Sequence, residues 1–420
     1  MEDPLYTAPI FILNSSHPEL DRLAAELCRR GLLQKYVRRY AMQNRRWETF
    51  LQRLPLLSTA FGPSERRRLV DGLDPRLVVE AGVLYDFLRT LFAKLPLGRF
   101  ARPISRQLLR RRERAMSNRG ARLGVNAPVV IGNYSVALKL FRRAKLHGHR
   151  TVLNYPIAHH AYAKALLEEE AEREPAFAES LISQIPSEEV AEQLDYECAL
   201  ADQILLGSSF ARESFLSRGF TLEKLVTIPY GVDISGRFTP GPSRQRREKT
   251  FRILFAGQVT QRKGITYLFD AYRQIKGPGT ELMIAGRLIG GELAYKPFRN
   301  LFCHVGDVAN SALPEFYRGG DVLVLPTLIE GMGLVVLEAM ACGLPVIVSP
   351  NGPGDIVRDG VDGFIVPIRN SKAIADKLEL LRTDEHLRQQ MGLSARQRAL
   401  EFTWDRYAQL ASDAVARLIQ

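Results

Sequence analysis

The segment 321-DVLVLPTLIEGMGLVVLEAMACGLPVIVSP-350 contains a complete unit of strand, loop, helix and strand. The apolar run 321–326 ends at Pro326, and a second apolar run occupies 344–349. Between them, a loop punctuated by glycine leads into a segment in which we expect a helix to begin near Gly333. Two apolar strands joined by a helix are typical of a parallel sheet, so this segment predicts an α/β fold.

Short apolar runs alternate with longer helical patterns in both directions from this segment. The other predicted strands are 9–13, 128–133, 151–156, 203–208, 225–231, 251–257, 281–286, 301–306 and 363–367. The stretch 234–250 interrupts the series, because it is rich in Gly, Pro, Ser and charged residues and has no apolar period. Such a composition predicts a linker between two domains.

Two Rossmann-like domains with a cleft between them are therefore the predicted architecture. We place the N-terminal domain at 1–235, the C-terminal domain at 250–400 and a terminal helix at 401–420, which we expect to cross back to the N-terminal domain. Ligands of open parallel sheets bind outside the carboxyl ends of the strands. The cleft is accordingly the expected ligand site.

Two glutamates flank the start of the helix predicted after Gly333. Glu330 lies in the loop, and Glu338 lies more than one turn into the helix. The unpaired N–H groups of a helix N-terminus and the positive end of its dipole suit a pyrophosphate. The residues expected to supply these groups are Met332, Gly333, Leu334 and Val335. Carboxylates accept hydrogen bonds from hydroxyl groups, so a glutamate at each end fits a nucleotide-diphosphate sugar. In the structural alternative, one glutamate caps the first turn and the other lies on a solvated face.

Composition narrows the class of protein. The 420 residues include no window of ~18 uncharged apolar residues and no N-terminal signal pattern, so we expect neither a membrane span nor secretion. Four cysteines without a CxxC pair suit a reducing compartment and argue against a disulfide framework or a zinc site. A cytoplasmic chain without a metal site is the prediction.

The net charge of +12 is concentrated near the N-terminus. Residues 1–124 contain 24 Lys and Arg against 12 Asp and Glu, whereas the remaining residues contain 34 of each. The same region contains 83-VLYDFLRTLFAKLPLGRF-100, whose apolar residues recur at the spacing of an amphipathic helix. A solvated basic face, an anionic membrane surface and a nucleic acid are the competing interpretations. No nucleic-acid fold motif is present, so we expect no nucleic-acid partner.

We predict that this region makes the chain a peripheral protein on the inner face of an anionic cell membrane. The arginines 110-RRRER-114 would pair with headgroups, and the helix at 83–100 would lie in the headgroup layer. In the competing interpretation the arginines face water, and the apolar side chains are buried in the N-terminal core. The side chains that distinguish the two are Phe87, Leu91 and Leu95.

The residues 330-EGMGL-334, 338-EAMA-341 and 343-GLPVI-347 resemble the signature of glycosyltransferase family 4, which has the GT-B fold. The similarity continues at 253-ILFAGQVTQRKGITYLFDAY-272 and is specific over residues 200–400. It implies retaining transfer of a glycosyl group from a nucleotide-diphosphate sugar, as co-substrate, to an acceptor, with no metal or other cofactor. The chain contains no Asp-x-Asp pair, which agrees with metal independence.

The resemblance also assigns roles to residues. It implies that Glu338 binds the ribose and that Glu330 contacts the transferred sugar. The family's phosphate pair falls on Gln258 and Lys263, where Gln258 departs from the usual arginine. Since an amide cannot neutralise phosphate, we expect Arg262 to supply the second positive charge. The remaining residues expected at the donor site are Gly257, Thr327 and Gly331.

In the N-terminal domain the resemblance places a histidine near the reacting sugar. His159 follows a predicted strand, with His160 as its neighbour. We expect His159 to act in catalysis together with Glu330, Lys263 and Arg262. A histidine that ends a strand is also a common structural donor.

The family's glycine-rich loop after the first strand is absent here. Ser15, Ser16 and His17 stand in its place as candidate contacts for the acceptor or for phosphate. Ser15 or Ser16 before Pro18 equally suits a helix cap. The basic segment 32–125 matches no part of the family that we can identify, and we expect acceptor recognition there.

These features predict a retaining glycosyltransferase that acts on a polysaccharide or lipid-linked acceptor in cell-surface glycan or exopolysaccharide biosynthesis. One alternative is a glycosyltransferase with a small soluble acceptor. Another is a non-catalytic GT-B module that binds a nucleotide-sugar as a scaffold. Glu330, Glu338 and Lys263 favour the enzyme, whereas the carboxylates and histidines of a sugar epimerase cannot be assembled from this sequence.

Overall fold

The computed structural model of the chain describes residues 9–40, 70–92, 101–241 and 250–419. Its strands form two parallel α/β sheets, one of seven strands and one of six, which confirms the predicted fold class. Those of the first sheet are β1 (Ile10–Asn14), β2 (Leu33–Arg38), β3 (Val78–Glu80), β4 (Val129–Asn133), β5 (Arg150–Asn154), β6 (Gln203–Leu206) and β7 (Leu225–Thr227). Those of the second are β8 (Phe251–Ala256), β9 (Thr280–Ala285), β10 (Cys303–Gly306), β11 (Val322–Leu325), β12 (Val346–Val348) and β13 (Gly363–Ile365). The strand orders are β3-β2-β1-β4-β5-β6-β7 and β10-β9-β8-β11-β12-β13.

β1 lies inside the first sheet, and all five of its residues are buried. It pairs with β2 on one side and with β4 on the other. β2 and β3 belong to the segment 32–125, for which the sequence predicted no strand. Part of this basic segment therefore completes the sheet.

Helices connect the strands of both sheets. In the described residues they are α1 (Pro18–Arg29), α2 (Val83–Phe92), α3 (Ala101–Leu123), α4 (Leu138–Leu146), α5 (His160–Arg173), α6 (Ala178–Ile182), α7 (Glu188–Leu200), α8 (Ser209–Leu216), α9 (Ile265–Ile275), α10 (Glu292–Tyr295), α11 (Leu313–Arg318), α12 (Leu334–Ala341), α13 (Ser371–Thr383), α14 (Glu385–Ala399) and α15 (Trp404–Ala416). As expected, α12 begins directly after Gly333. None of these helices is long and apolar enough to cross a membrane.

The chain divides into two compact units. The first consists of Met1–Tyr155, Glu188–Leu205 and Tyr407–Gln420, and the second of Pro156–Ser187 and Leu206–Arg406. The second unit therefore includes α5, α6 and α8, which precede the predicted linker in the chain. The domain boundaries at 235, 250 and 400 stay a prediction.

The region predicted to contact a membrane is only partly as expected. Helix α2 covers the start of the stretch 83–100. Residues 93–100, which include Leu95, lie outside the described residues. Phe87 and Leu91 are half-buried. Arg112 is buried and forms an ion pair with Asp86 (3.2 Å). Arg112 is therefore not part of the exposed basic face that the sequence predicted.

Candidate functional site

A tight turn after β8 contains Arg262 and Lys263. Thr260 Oγ1 accepts a hydrogen bond from the Arg262 N–H (3.0 Å), which caps the turn at its start. Gly264 ends the turn with a φ of +69°, and a Cβ at this position would lie 2.1 Å from the carbonyl oxygen of Pro326. Only glycine fits this conformation and this contact. The turn is thereby held against the loop that follows β11.

Lys263 and Arg262 both face the carboxylate of Glu330. Lys263 Nζ lies 3.1 Å and Arg262 Nη1 lies 3.5 Å from Glu330 Oε2. Burial alone would raise the pKa of Glu330, but the two cations and the N–H of Gly331 outweigh it and lower the pKa to about 2. Glu330 is therefore ionised at neutral pH between two positive charges.

The guanidinium of Arg262 is also tied to its surroundings. Nε donates to Gln184 Oε1 (3.0 Å), and Nη1 donates to the carbonyl oxygen of Ile329. The N–H of Leu328 donates to the carbonyl oxygen of Arg262 (2.9 Å). Arg262 thus holds the loop that leads to Glu330, in addition to supplying charge.

The Lys263 ammonium borders a glycine turn at the end of β8. A Cβ on Gly257 would lie 2.9 Å from Lys263 Nζ, and a Cβ on Gly286 would lie 1.9 Å from the carbonyl oxygen of Gly257. Because these positions have no side chain, the main chain here can approach a ligand closely. Gln258 is exposed, and its side chain forms no hydrogen bond within the described residues.

The N-terminus of α12 follows the Glu330 loop directly. Its N-cap, Gly333, has a φ of +79°, a conformation that favours glycine. The Val336 N–H bonds to the carbonyl oxygen of Gly333 (2.9 Å), whereas the N–H groups of Leu334 and Val335 have no acceptor within their own helix. Leu334 and Val335 are partly exposed. An anion at this point would meet their N–H groups and the positive end of the helix dipole.

Three other residues predicted to bind the donor hold the loop itself. Thr327 Oγ1 donates to the carbonyl oxygen of Ile329 (3.1 Å). Met332 is buried, and its Sδ accepts a backbone N–H (2.8 Å). The carbonyl oxygen of Gly331 accepts a hydrogen bond from Ser208 Oγ. These groups are used within the protein, so ligand contacts of this loop would come mainly from its remaining main-chain groups.

Glu338 lies on the partly exposed face of α12 and is oriented by a buried tyrosine. Tyr317 OH donates to Glu338 Oε2 (2.7 Å). Burial, followed by the charge of Glu338, raises the pKa of Tyr317 well above its usual value, so Tyr317 remains a neutral donor. A carboxylate can accept about four hydrogen bonds, so this bond orients Glu338 without saturating it. Tyr317 lies on α11, and no pattern in the sequence pointed to it.

The segment before α5 packs against the Glu330 loop. A Cβ on Gly331 would lie 1.8 Å from the carbonyl oxygen of Pro156. His159 is the N-cap of α5, and its Nδ1 accepts the N–H of Ala161 (3.2 Å). The ring of His159 is 3% exposed and lies edge-on to Phe215, with the ring centroids 4.9 Å apart. His159 therefore has a structural role at the start of α5.

The same surroundings set the protonation of His159. Burial, together with the neighbouring His160 and Arg218, lowers the pKa of His159 to about 3. The imidazole is thus neutral at neutral pH, and because Nδ1 accepts a hydrogen bond, the proton lies on Nε2. In the described part of the chain, His159 forms no hydrogen bond or ion pair with Glu330 or Lys263. The rings of His159 and His160 stack with centroids 4.3 Å apart.

A buried carboxylate, Glu170 of α5, supports the turn that contains the two cations. Gln261 Nε2 and Tyr267 OH donate to its Oε1 at 2.7 and 2.8 Å, and Arg369 Nε donates to its Oε2 at 2.7 Å. Gln261 is itself fully buried and directly precedes Arg262. Glu170 therefore anchors this turn. Glu170 was not predicted as a site residue, because it ends a run of three glutamates that resembles a solvated helix face.

Ser15, Ser16 and His17 lie in the first unit, at the carboxyl end of β1. Asn14 Oδ1 accepts the N–H groups of Ser16 and His17, each at 2.8 Å. The N-cap of α1 is His17, so the alternative in which a serine caps this helix is wrong. Ser16 has a φ of 135°, which is unusual for a residue with a Cβ, and its Oγ accepts a hydrogen bond from Arg39 Nη1 (3.0 Å). Such strained residues often lie at functional sites.

The region that contains the cation cluster matches a known family. Residues 242–398 match the model of the family described as Glycosyl transferases group 1. A D-inositol 3-phosphate glycosyltransferase of Paenarthrobacter aurescens is 29% identical over 214 residues, which cover 47% of this chain and 52% of that protein. Another, from Xylanimonas cellulosilytica, is 30% identical over 220 residues, with coverage of 47% and 52%. The chain spans about half the length of the curated relatives it matches.

Two solved structures resemble the chain over almost its whole length. Sucrose-phosphate synthase from Thermosynechococcus elongatus has a TM-score of 0.67 and 19% identity, and the match covers 98% of this chain and 99% of that one. HepE from Anabaena, solved in complex with UDP and glucose, has a TM-score of 0.64 and 16% identity, with coverage of 97% and 99%. With the two parallel sheets, these likenesses show that the chain has the predicted GT-B fold.

Proposed function

We propose that this chain is a retaining, metal-independent glycosyltransferase of family 4 that transfers a sugar from a nucleotide-diphosphate sugar to a glycan or lipid-linked acceptor. We place the reaction in the synthesis of cell-surface glycans or exopolysaccharide. The observation that supports the proposal most is the cluster of Lys263, Arg262 and ionised Glu330 in the loops beside α12. The family match at 242–398 includes all three residues.

The donor's diphosphate would bind at the N-terminus of α12. The N–H groups of Leu334 and Val335 are placed to bind phosphate oxygens. Lys263 would neutralise the negative charge that grows on the departing nucleotide diphosphate, which lowers the energy of the transition state more than that of the bound donor. Arg262 adds a second positive charge and holds the loop. Side chains thus supply the charge compensation that the proposed reaction needs.

The two glutamates would hold the two sugars of the donor. When phosphate binds Lys263, Glu330 keeps the support of Arg262 and of the Gly331 N–H, so it stays ionised and can accept hydrogen bonds from the transferred sugar. Glu338, oriented by Tyr317, would accept hydrogen bonds from the ribose hydroxyls. His159, whose ring is neutral at neutral pH, would act near the reacting sugar, as the resemblance implies.

A panel of nucleotide-diphosphate sugars tests this function. We expect at least one to raise the Tm of the protein and to be turned over in the presence of acceptor. The anomeric configuration of the product, determined by NMR, should equal that of the donor. A product of inverted configuration would contradict retention. A panel in which no donor raises the Tm or is hydrolysed would contradict the donor site itself.

A small phosphorylated alcohol is a second candidate acceptor, because matched relatives are named for D-inositol 3-phosphate. In this chain, Arg39 donates to Ser16 Oγ and forms two hydrogen bonds with Asp86, each at 2.8 Å. A phosphate that replaced the Ser16 contact would pair with this guanidinium. Assays with D-inositol 3-phosphate and with unphosphorylated inositol separate the two acceptor classes, since only the former should be glycosylated and Arg39→Ser should abolish that activity.

We also propose that the chain works in the cytoplasm and associates with the inner face of the cell membrane. The support is the excess of positive charge in residues 1–124, which contain 24 Lys and Arg against 12 Asp and Glu. An anionic membrane surface attracts such a region and would present a lipid-linked acceptor to it.

A further inference from the structure

An open depression of about 400 Å³ lies between α3 and α4 of the first unit. Its lining residues are Asn118, Ala121, Arg122, Lys139, Arg142 and Arg143. Four of the six are cationic and none is acidic. Such a lining suits an anionic group.

Two of the four cations build the wall of the depression. Lys139 Nζ donates to Asn118 Oδ1 (2.7 Å), and Arg143 Nη1 donates to the carbonyl oxygen of Ala121 (3.1 Å). These bonds join α3 to α4 and hold the shape of the depression. Because both acceptors are uncharged, they leave its positive charge in place.

The other two cations, Arg122 and Arg142, are exposed. Within the part of the chain that the structure describes, neither forms an ion pair with a carboxylate. The Arg142 guanidinium lies 5.4 Å from the ring centroid of Tyr196, which orients it without neutralising it. Guanidinium groups bind phosphate oxygens through two parallel hydrogen bonds. The pair can therefore bind one or two phosphate groups.

Exposed arginines and an exposed leucine lie next to the depression, on the same faces of α3 and α4. On α3, Arg111 and Arg114 are exposed and precede Arg122 at helical spacing. On α4, Leu146 lies one turn after Arg142 and is 84% exposed. A basic face with an exposed large apolar side chain is typical of proteins that lie on anionic bilayers, because arginines pair with the headgroups while the apolar group enters the headgroup layer.

We propose that this depression binds the phosphate groups of anionic lipid headgroups and thereby docks the first unit on a bilayer. Nucleic acid offers the same phosphate chemistry, but it has no apolar layer to receive Leu146. The site differs from the surface suggested by the sequence, since Arg112 is buried against Asp86. The inference rests on the proposed membrane association and is independent of glycosyl transfer, so its test needs neither donor nor acceptor.

Co-sedimentation of the full chain with vesicles of phosphatidylglycerol and phosphatidylcholine tests the site. Wild-type protein should bind, and the bound fraction should fall as salt rises. Arg122→Ser combined with Arg142→Ser should weaken partitioning roughly thirtyfold, as expected for two arginines at the membrane surface. Leu146→Ser should weaken it without a change of charge. The matched control, Arg406→Ser with Arg417→Ser, removes the same charge from exposed positions and should keep most of the binding.

Three results would overturn the proposal. The first is wild-type protein that stays in the supernatant at low salt. The second is an equal loss in the double variant and in its control, because net charge alone would then explain binding. The third is duplex DNA that binds through Arg122 and Arg142 when vesicles do not. An unchanged Tm of each variant, with and without a nucleotide-sugar, separates loss of lipid binding from unfolding and from failure of the donor site.

Discussion

The two sheets differ in the residues that lie at the carboxyl ends of their strands. In the first sheet, Asn14, Asn133 and Asn154 end the neighbouring strands β1, β4 and β5, and all three are buried. Asn154 Nδ2 donates to Asn133 Oδ1, and Asn133 Nδ2 donates to Ser15 Oγ, each at 2.9 Å. Asn154 also donates to buried Glu19 (3.0 Å). This edge satisfies its polar groups with one another.

The second sheet has glycine and charged residues at this edge instead of asparagine. Glycines follow β8 and β9 at Gly257 and Gly286, and Lys263 and Glu330 bring charge to the same edge. A ligand can approach main chain that has no side chains, and Lys263 and Glu330, although they pair with each other, carry the charges that bind phosphate and hydroxyl groups. The difference favours the edge built from glycine and charge as the proposed donor site, whereas the asparagine edge is a structural network with Ser16 and Arg39 at its rim.

One substitution at each edge should give the largest difference between the two edges, in donor binding at one and in stability at the other. Gly264→Ala should abolish donor binding, by a hundredfold or more, because its Cβ would lie 2.1 Å from the Pro326 carbonyl oxygen at a φ of +69°. Asn154→Ala should cost about 1–3 kcal/mol of stability, since it removes donors from buried acceptors, and leave donor affinity unchanged. Calorimetry with the donor and thermal unfolding measure the two effects. Gly354→Ala is the matched control, because the nearest atom to its Cβ is 3.7 Å away. Wild-type affinity in Gly264→Ala would refute the close-approach argument.

Removal of a positive charge from the second edge should have the next largest effect, a lower kcat. Lys263→Ala should lower kcat about 10²–10³-fold, as expected for the loss of a group that stabilises charge in the transition state, and raise the donor KM less. Arg262→Ala should lower kcat less, because Arg262 is bonded to Gln184 and to the Ile329 carbonyl oxygen. Steady-state kinetics of the two variants decide the order. If Arg262→Ala is the slower enzyme, the assignment of the leaving-group charge to Lys263 is wrong.

Substitutions at Glu338 and Tyr317, at the proposed ribose end of the site, should lower the affinity for the donor. Glu338→Gln should weaken nucleotide-sugar binding roughly ten- to hundredfold, since an amide is a poorer acceptor for two ribose hydroxyls than a carboxylate. Tyr317→Phe should weaken it by less than about tenfold, because it removes only the bond that orients Glu338. Calorimetry with the nucleotide-sugar measures both. A Glu338→Gln variant that binds the donor normally would contradict the ribose assignment.

The sequence predicted the second edge far better than the first, for a physical reason. Glu330, Gly333 and Glu338 lie within one continuous unit of strand, loop and helix, so local spacing determines their relative positions. β2 was missed because its six residues, LQKYVR, include two cations, one of which, Arg38, is buried beside Asp21 (3.1 Å). An ion pair that permits such burial is a tertiary contact and leaves no apolar pattern in the sequence.

The supporting residues of the site were beyond sequence reasoning for the same reason. Glu170 and Arg369 are 199 residues apart in the chain, yet their side chains meet at 2.7 Å. Tyr317 and Glu338 lie on different helices. Neither pair follows a helical or strand period, so only folding brings each together. The residues proposed to contact the donor lie in a local motif, whereas the residues that orient them do not.

A substitution at Glu170 tests whether this buried carboxylate positions the turn that contains Lys263. Glu170→Gln should lower kcat about tenfold, because it weakens the bonds to Gln261 and Arg369 that position the Lys263 turn. Glu169→Gln is the control, since Glu169 also binds Arg369 (2.8 Å) but is exposed. In the Lys263→Ala background, Glu170→Gln should add little, because the two changes act on the same group. Fully additive losses in the double variant would mean that Glu170 does not act through Lys263.

His159 gives an effect on stability that depends on pH. Its pKa is about 3 in the folded protein against an ordinary value of 6.5, so the unfolded chain binds one more proton between these pH values. The contribution of neutral His159 to stability is therefore complete above pH 6.5 and is lost as pH falls towards 3, by about 1.4 kcal/mol per pH unit. His159→Phe keeps the contact with Phe215 and should flatten the fall of Tm between pH 6.5 and 5. The control is Phe220→Leu, which changes another ring beside His159 (centroids 5.6 Å apart) without removing a titratable group, so the fall of Tm should persist. If both variants follow the wild-type profile, another buried group governs the acid sensitivity, and the burial of neutral His159 beside the Glu330 loop loses its support.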